Sequence, residues 1–174
     1  MDIFLDSGII YGFLDARDSI HRRVMRFFNL FDFRQHHYFT TKYIASIEVK
    51  NVRMKRTEGI PKEEREFQRL VKNCFESEHL VDINYFEHHL FDRLFRAILG
   101  LLELRRINDD LKDYDADLLA NAHLWDFLDA NLDTPQFLTI DGNDIVRNRD
   151  EIRDTIEGCI SCTVHLEITP LGFY

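Results

Sequence analysis

At 174 residues, with 45% hydrophobic side chains, three prolines and seven glycines, the chain has the composition of one globular domain, 1–174, and not of a disordered segment. Its 22 Lys and Arg stand against 31 Asp and Glu, a formal net charge of −9, which argues against an indiscriminate nucleic-acid binder held by its overall field. No basic start precedes an apolar run, and the most apolar stretch, Phe86 to Leu104, is broken by Glu87, Asp92, Arg93, Arg96 and Glu103, so neither secretion nor a membrane span is expected and the expected compartment is the cytoplasm.

In chain order, Ile3-Phe4-Leu5 reads as a short buried strand, and Asp6-Ser7 supplies the polar start of a helix through about Asp15. Asp18 and Ser19 cap a second helix carrying Ile20, Val24, Phe27, Phe28 and Phe31 at helical spacing. Tyr38 to Thr41 reads as the second strand, with Thr41 as cap of a helix whose sheet-facing positions are Ile44, Ile47, Val49 and Val52. Glu48 falls close to that inner side, where a carboxylate is paired, metal-bound or at an open helix end.

Pro61 suits the first turn of a helix reaching about Phe75, and Leu80 to Ile83 a third strand. A long helix from Tyr85 to about Ile107 presents Phe86, Leu90, Phe91, Leu94, Phe95, Ile98, Leu101 and Leu102, a front wide enough to pack on the domain or to complete a partner interface. Asp115 begins another helix, Phe137 to Ile140 is the next strand, and Thr163 to Ile168 the last. Strands alternating with helices predict a three-layer α/β/α sandwich on a mainly parallel sheet.

Two stretches are basic inside this acidic chain: Lys42 to Arg56, with Lys42, Lys50, Arg53, Lys55 and Arg56, and Arg17 to Arg26, with Arg17, Arg22, Arg23 and Arg26. Each is a solvated helix face or a local nucleic-acid contact. Cys159-Ile-Ser-Cys162 with His165 is half of a zinc pattern, but Ile160 to Ile168 alternates like a strand, on which positions three apart face opposite ways. Buried thiols in a core strand are the plainer expectation, with the odd cysteine count arguing against a disulfide framework.

Five acids are placed by this order near the carboxyl ends of strands, where ligands bind in parallel sheets: Asp6, Glu48, Asp115, Asp141 and Asp144. Two carboxylates 5 Å apart repel by about 3 kcal/mol at an effective dielectric near 20. Without a cation, one or more would hold a proton. Mg²⁺ or Mn²⁺ suits an all-oxygen set, and such an ion activates water against a phosphodiester, leaving a 5′-phosphate and a 3′-hydroxyl.

Leu5-Asp6-Ser7, Asp115-Ala116-Asp117-Leu118-Leu119-Ala120-Asn121-Ala122 and Leu138-Thr139-Ile140-Asp141-Gly142-Asn143-Asp144-Ile145, with Glu48 between, resemble the PIN domain family and, within it, short toxin-like nucleases of the VapC type. The resemblance runs from Met1 to about Leu171, with an enlarged helical section at about 59–113. It implies Asp6, Glu48, Asp115 and Asp141 as catalytic, metal-holding acids, with Asp144 at a further acidic position and Asp117 competing for the third. Ser7 and Thr139 are implied as supporting hydroxyls, while Gly8 departs from the polar residue usual there. RNA is the implied substrate, with Lys42, Lys50, Arg53 and Arg22 as candidate backbone contacts, and an antitoxin protein and a second copy of the chain as implied partners. An idle module that binds RNA or protein, and a structure-specific DNA nuclease, are the competing readings.

Overall fold

The computed structural model describes residues 2–30, 36–44, 46–47, 61–76, 80–105, 112–129 and 135–172. Five strands, β1 (Asp2–Leu5), β2 (His37–Thr40), β3 (Leu80–Asp82), β4 (Gln136–Thr139) and β5 (Glu167–Pro170), form one sheet in the order β3-β2-β1-β4-β5. Every pairing is parallel. Helices α1 (Ser7–Leu14), α2 (His21–Leu30), α3 (Pro61–Glu76), α4 (Phe91–Leu104), α5 (Lys112–Leu128) and α6 (Arg149–Ile160) lie between the strands in sequence. A helical segment at 42–44 and 46–47 follows β2.

Alternate strand residues feed two cores, as a parallel sheet covered on both faces requires. Phe4, Phe137 and Ile168 join Trp125 of α5, Leu94 and Ile98 of α4 and Ile152 and Ile156 of α6 on one face. Ile3, Leu5, Tyr38 and Leu138 meet Ile9 and Ile10 of α1 and Val24, Phe27 and Phe28 of α2 on the other. Trp125 sits over β1 and β2, its ring 5.8 Å from Phe4 and 4.7 Å from Phe39. The three-layer α/β/α class is therefore observed, with a sheet that is wholly parallel.

Helices α1 and α2 approach closely at Gly12, where a Cβ would lie 2.6 Å from Ile20 Cδ1 and 2.9 Å from Val24 Cγ2. Gly12→Ala is expected to destabilise the fold by about 1–2 kcal/mol, the cost of overpacking outweighing Ala's better helix propensity. Urea unfolding followed by circular dichroism checks this; an unchanged midpoint would mean that the helices can separate freely.

Several expectations need correction. The long helix begins at Phe91 and not at Tyr85. Asn84 Oδ1 accepts from the Phe86 N–H and His88 Nδ1 from the Leu90 N–H, so local side-chain bonds replace the first helical turn. Phe86 consequently leaves the apolar front and stands 71% exposed. Thr41 is no cap: its buried hydroxyl has no hydrogen-bond partner. Asp115 lies in the first turn of α5, which already includes Lys112, and does not begin it.

The last strand is Glu167–Pro170 and not Thr163 to Ile168. The alternation is real, since Val164, Leu166 and Ile168 are all buried, but the approach to β5 is pinned by Asp126 Oδ2, which accepts from the backbone N–H of His165 and Leu166. Cys159 is half-buried at the end of α6 and Cys162 is exposed after Ser161, whose φ of 58° closes the helix. Neither is a core-strand thiol. Phe31, Val49 and Val52 lie outside the described residues.

Candidate functional site

Strand order reverses between β1 and β4: the chain moves outward from β1 to β2 and β3, then returns to β4 and continues to β5. A crevice opens at such a switch point, outside the carboxyl ends of the two strands. Asp6 follows β1 and Asp141 follows β4, so the topology brings these two acids to that crevice.

The register decides which way they face. Leu5 pairs with Leu138, so one residue further Asp6 meets Thr139, on the same face of the sheet as Phe4 and Phe137. Thr139 Oγ1 donates to Asp6 Oδ2 at 2.5 Å and accepts from the Asp141 N–H at 2.9 Å. One hydroxyl thus ties the two strand ends together. Ser7 Oγ donates to Asp6 Oδ1 at 3.2 Å, and the Gly8 N–H, at 3.3 Å, does the same while starting α1.

Asp6 is buried, and burial pushes its carboxyl above the usual range. The hydrogen bonds from Thr139, Gly8 and Ser7 oppose that rise, and the negative charge of Asp141 adds to it. A buried carboxylate beside a second one is a group whose ionisation a cation would favour. Asp141 Oδ1 accepts from the N–H groups of Asn143 and Asp144, at 3.1 and 2.8 Å, capping the π-helical turn Gly142–Val146. Its second oxygen takes part in neither of these capping bonds. Asp144 is half-buried within that turn.

A helix leading into a parallel strand runs opposite to it, so the first turns of α5 lie over the carboxyl edge. Asp115 and Asp117 are both there and both half-buried. Asp117 faces β3: its Oδ1 accepts from Asn121 Nδ2 at 2.7 Å, and Asn121 Oδ1 accepts from the Tyr85 N–H at 2.8 Å. Burial raises the Asp117 carboxyl to about 6 against the pull of the Asn121 bond. Among the described residues, no three His, Cys, Asp or Glu side chains stand close enough to hold a metal together. Glu48, Lys50 and Arg53 lie outside the described residues.

The donor chemistry of the pair Asp6 and Asp141 fits a hard cation, because Mg²⁺ is commonly held by only one or two carboxylates and keeps several waters. A Cβ at Gly8 would lie 2.7 Å from Cδ1 of the exposed Ile140 side chain and 3.8 Å from Asp6 Oδ2. Thr139→Val is expected to lower activity of the site by about 10- to 100-fold and to shift the acid limb of its pH profile upward, since Asp6 loses a bond that favours its charged form. A pH profile identical to wild type would remove Thr139 from this role.

Among the basic candidates, Lys42 is exposed at the carboxyl end of β2, its Nζ 5.4 Å from the Phe75 ring centre. Arg22 is exposed on α2, but it is its neighbours Arg23 and Arg26 that line a cavity of about 260 Å³ with Leu171 and Gly172. Arg23 also donates to the Leu171 carbonyl. A second cavity, of about 300 Å³, has Thr41, Tyr43, Asn84, Phe86 and Asp117 in its described lining. Only Asp117 of these five was marked by the residue pattern; the signal for Thr41 was a hydroxyl closing the second apolar strand run.

No family model matches the chain, and no curated protein matches it in sequence. Its fold is similar to that of a chain in the crystal structure of VapBC2 from Rickettsia felis bound to a DNA fragment from their promoter. The TM-score is 0.54 at 10% identity, over 97% of this chain and 99% of that one. The likeness shows a PIN-like fold. No helix among the described residues is long and apolar enough to cross a membrane.

Proposed function

We propose that this chain is a divalent-metal-dependent endoribonuclease of VapC type, acting in the cytoplasm and held in check by an antitoxin protein. The observation that carries the reading is the Asp6–Thr139–Asp141 linkage at the β1/β4 switch point. The VapBC2 likeness supports the same fold with a protein partner.

In this reading Asp6 and Asp141 hold Mg²⁺ or Mn²⁺, with Glu48 and Asp115 completing the acidic set and Asp144 as an outer or alternative ligand. The ion, when bound, supplies an acidified water and a positive charge against the leaving oxygen. Thr139 and Ser7 fix the Asp6 carboxylate so that its oxygens need no reorganisation when substrate arrives. Lys42 and Arg22, with Lys50 and Arg53, neutralise phosphates along a single strand. A recessed pair of acids with local basic groups around it admits a flexible strand more readily than a duplex.

Incubating the purified chain with labelled single-stranded RNAs and Mn²⁺, with and without EDTA, tests this. Cleavage to 5′-phosphate products that EDTA stops is the expected result. Absence of cleavage on every RNA sinks the nuclease reading and favours a binding module; cleavage of DNA alone reassigns the substrate.

A further inference from the structure

The cavity lined by Thr41, Tyr43, Asn84, Phe86 and Asp117 adjoins the acids. Phe4 pairs with Phe39, and the same register continued by two residues sets Thr41 level with Asp6 on the adjacent strand, about 5 Å away. Both then face the side of the sheet covered by α5. The cavity, of about 300 Å³, is within the size range of small-ligand sites.

Three features of its described lining fit a heterocycle. Thr41 is 3% exposed and its hydroxyl has no partner, a costly arrangement that a ligand would relieve. Phe86 and Tyr43 stand 71% and 64% exposed, two aromatic faces left in solvent beside a polar recess. Asn84 uses its side-chain oxygen on the Phe86 N–H and so presents amide donors, while the Asn121 bond fixes the Asp117 carboxylate and leaves its second oxygen to accept. An apolar peptide side chain would match the rings and strand the hydroxyl and carboxylate unpaired.

We propose that this cavity is a base-recognition subsite for single-stranded RNA that selects guanine. The base would donate N1–H and N2–H₂ to the Asp117 carboxylate, accept at O6 from Thr41 or Asn84, and stack on Phe86 and Tyr43. The subsite rests on the ribonuclease reading for its ligand class, and it deepens that reading by naming what sets the cleavage sequence.

The test uses the full chain and fluorescein-labelled RNA nonamers of uridine with a central G, A, C or U, bound in EDTA and read by fluorescence anisotropy. The central-G nonamer is expected to bind about tenfold more tightly than the others, and Phe86→Ala or Tyr43→Ala to weaken it about fivefold or more. Asp117→Asn should bring the four nonamers to within about twofold, and Thr41→Val should weaken the central-G nonamer, with Thr41→Ser restoring it. Equal affinity for the four in the wild type, or no binding, overturns the subsite, as does a preference untouched by both Thr41→Val and the exposed Phe86→Ala. The same nonamers with Mn²⁺ separate the two readings. Cleavage without base preference overturns the subsite and leaves the nuclease; guanine-selective binding without cleavage does the reverse.

Discussion

Asp6→Asn is expected to lower RNA cleavage by about 10³-fold or more while leaving the metal-free protein at least as stable as wild type at pH 7.5. The two halves of that result have one cause. The carboxyl is buried and burial raises its pKa, so between the unfolded and the folded value the native state holds a proton that the unfolded chain has released, and above both the charged form carries the cost of burial. Stability from this group is fully present below the unfolded value near 4 and is lost as pH rises through the raised folded value. Asparagine is neutral at all pH values and its one oxygen can still accept from Ser7 and Gly8, so the pH dependence that Asp6 contributes disappears in the variant.

On the proposed reading a cation would reverse the balance, and in the wild type only. At about 100 times its dissociation constant, Mn²⁺ would add about 2.7 kcal/mol, a rise of about 5–10 °C in melting temperature for a chain of this size. Asp6→Asn should lose most of that rise. Thermal melts at pH 5 and 7.5, each with Mn²⁺ or EDTA, check both statements. A variant that melts well below wild type in EDTA at pH 7.5 would show that the charged carboxylate supports the fold, contrary to its burial.

The ends of β1 and β4 and the acids after them were legible because both signals are local. Ile3-Phe4-Leu5 and Phe137-Leu138-Thr139 are apolar runs closed by an acid within two residues, and the structure brings Asp6 and Asp141 to one crevice. What local pattern cannot carry is register. The Thr139 bridge requires Leu5 opposite Leu138, and the level position of Thr41 requires Phe4 opposite Phe39; both are properties of strand pairs. The misplaced start of α4 has a different origin, since Phe86 and Leu90 fit a helical period but their N–H groups are taken by Asn84 and His88. Periodicity counts side chains and is blind to that competition.

The pair Asp115 and Asp117 illustrates the same limit. Matching alanine offsets favours Asp115, while geometry turns Asp117 towards Asn121 and the cavity beside β3. Two residues apart on a helix, they point to nearly opposite sides. In the proposed reading one helix start serves both purposes, Asp115 completing the acidic set and Asp117 meeting the base, and Asp117→Asn is then expected to alter base preference more than turnover.

Trp125→Ala is expected to be the most damaging single core change, costing about 3–5 kcal/mol. Trp125 is fully buried and its ring joins β1 through Phe4 and β2 through Phe39, so its removal empties the space between α5 and the middle of the sheet. The chain has no other tryptophan, so wild-type unfolding can be followed by its fluorescence and the variant by circular dichroism. Phe27→Ala is the informative comparison, because Phe27 is equally buried in the opposite core and its loss is of similar size. At a temperature where both variants are folded, Trp125→Ala should cut about tenfold more slowly than Phe27→Ala, because α5 carries Asp115 and Asp117 and a displacement near 1 Å at reacting groups is costly. Equal rates in the two variants would mean that the acids of α5 do not depend on where the helix rests on the sheet, and would leave Asp6 and Asp141 to act without them.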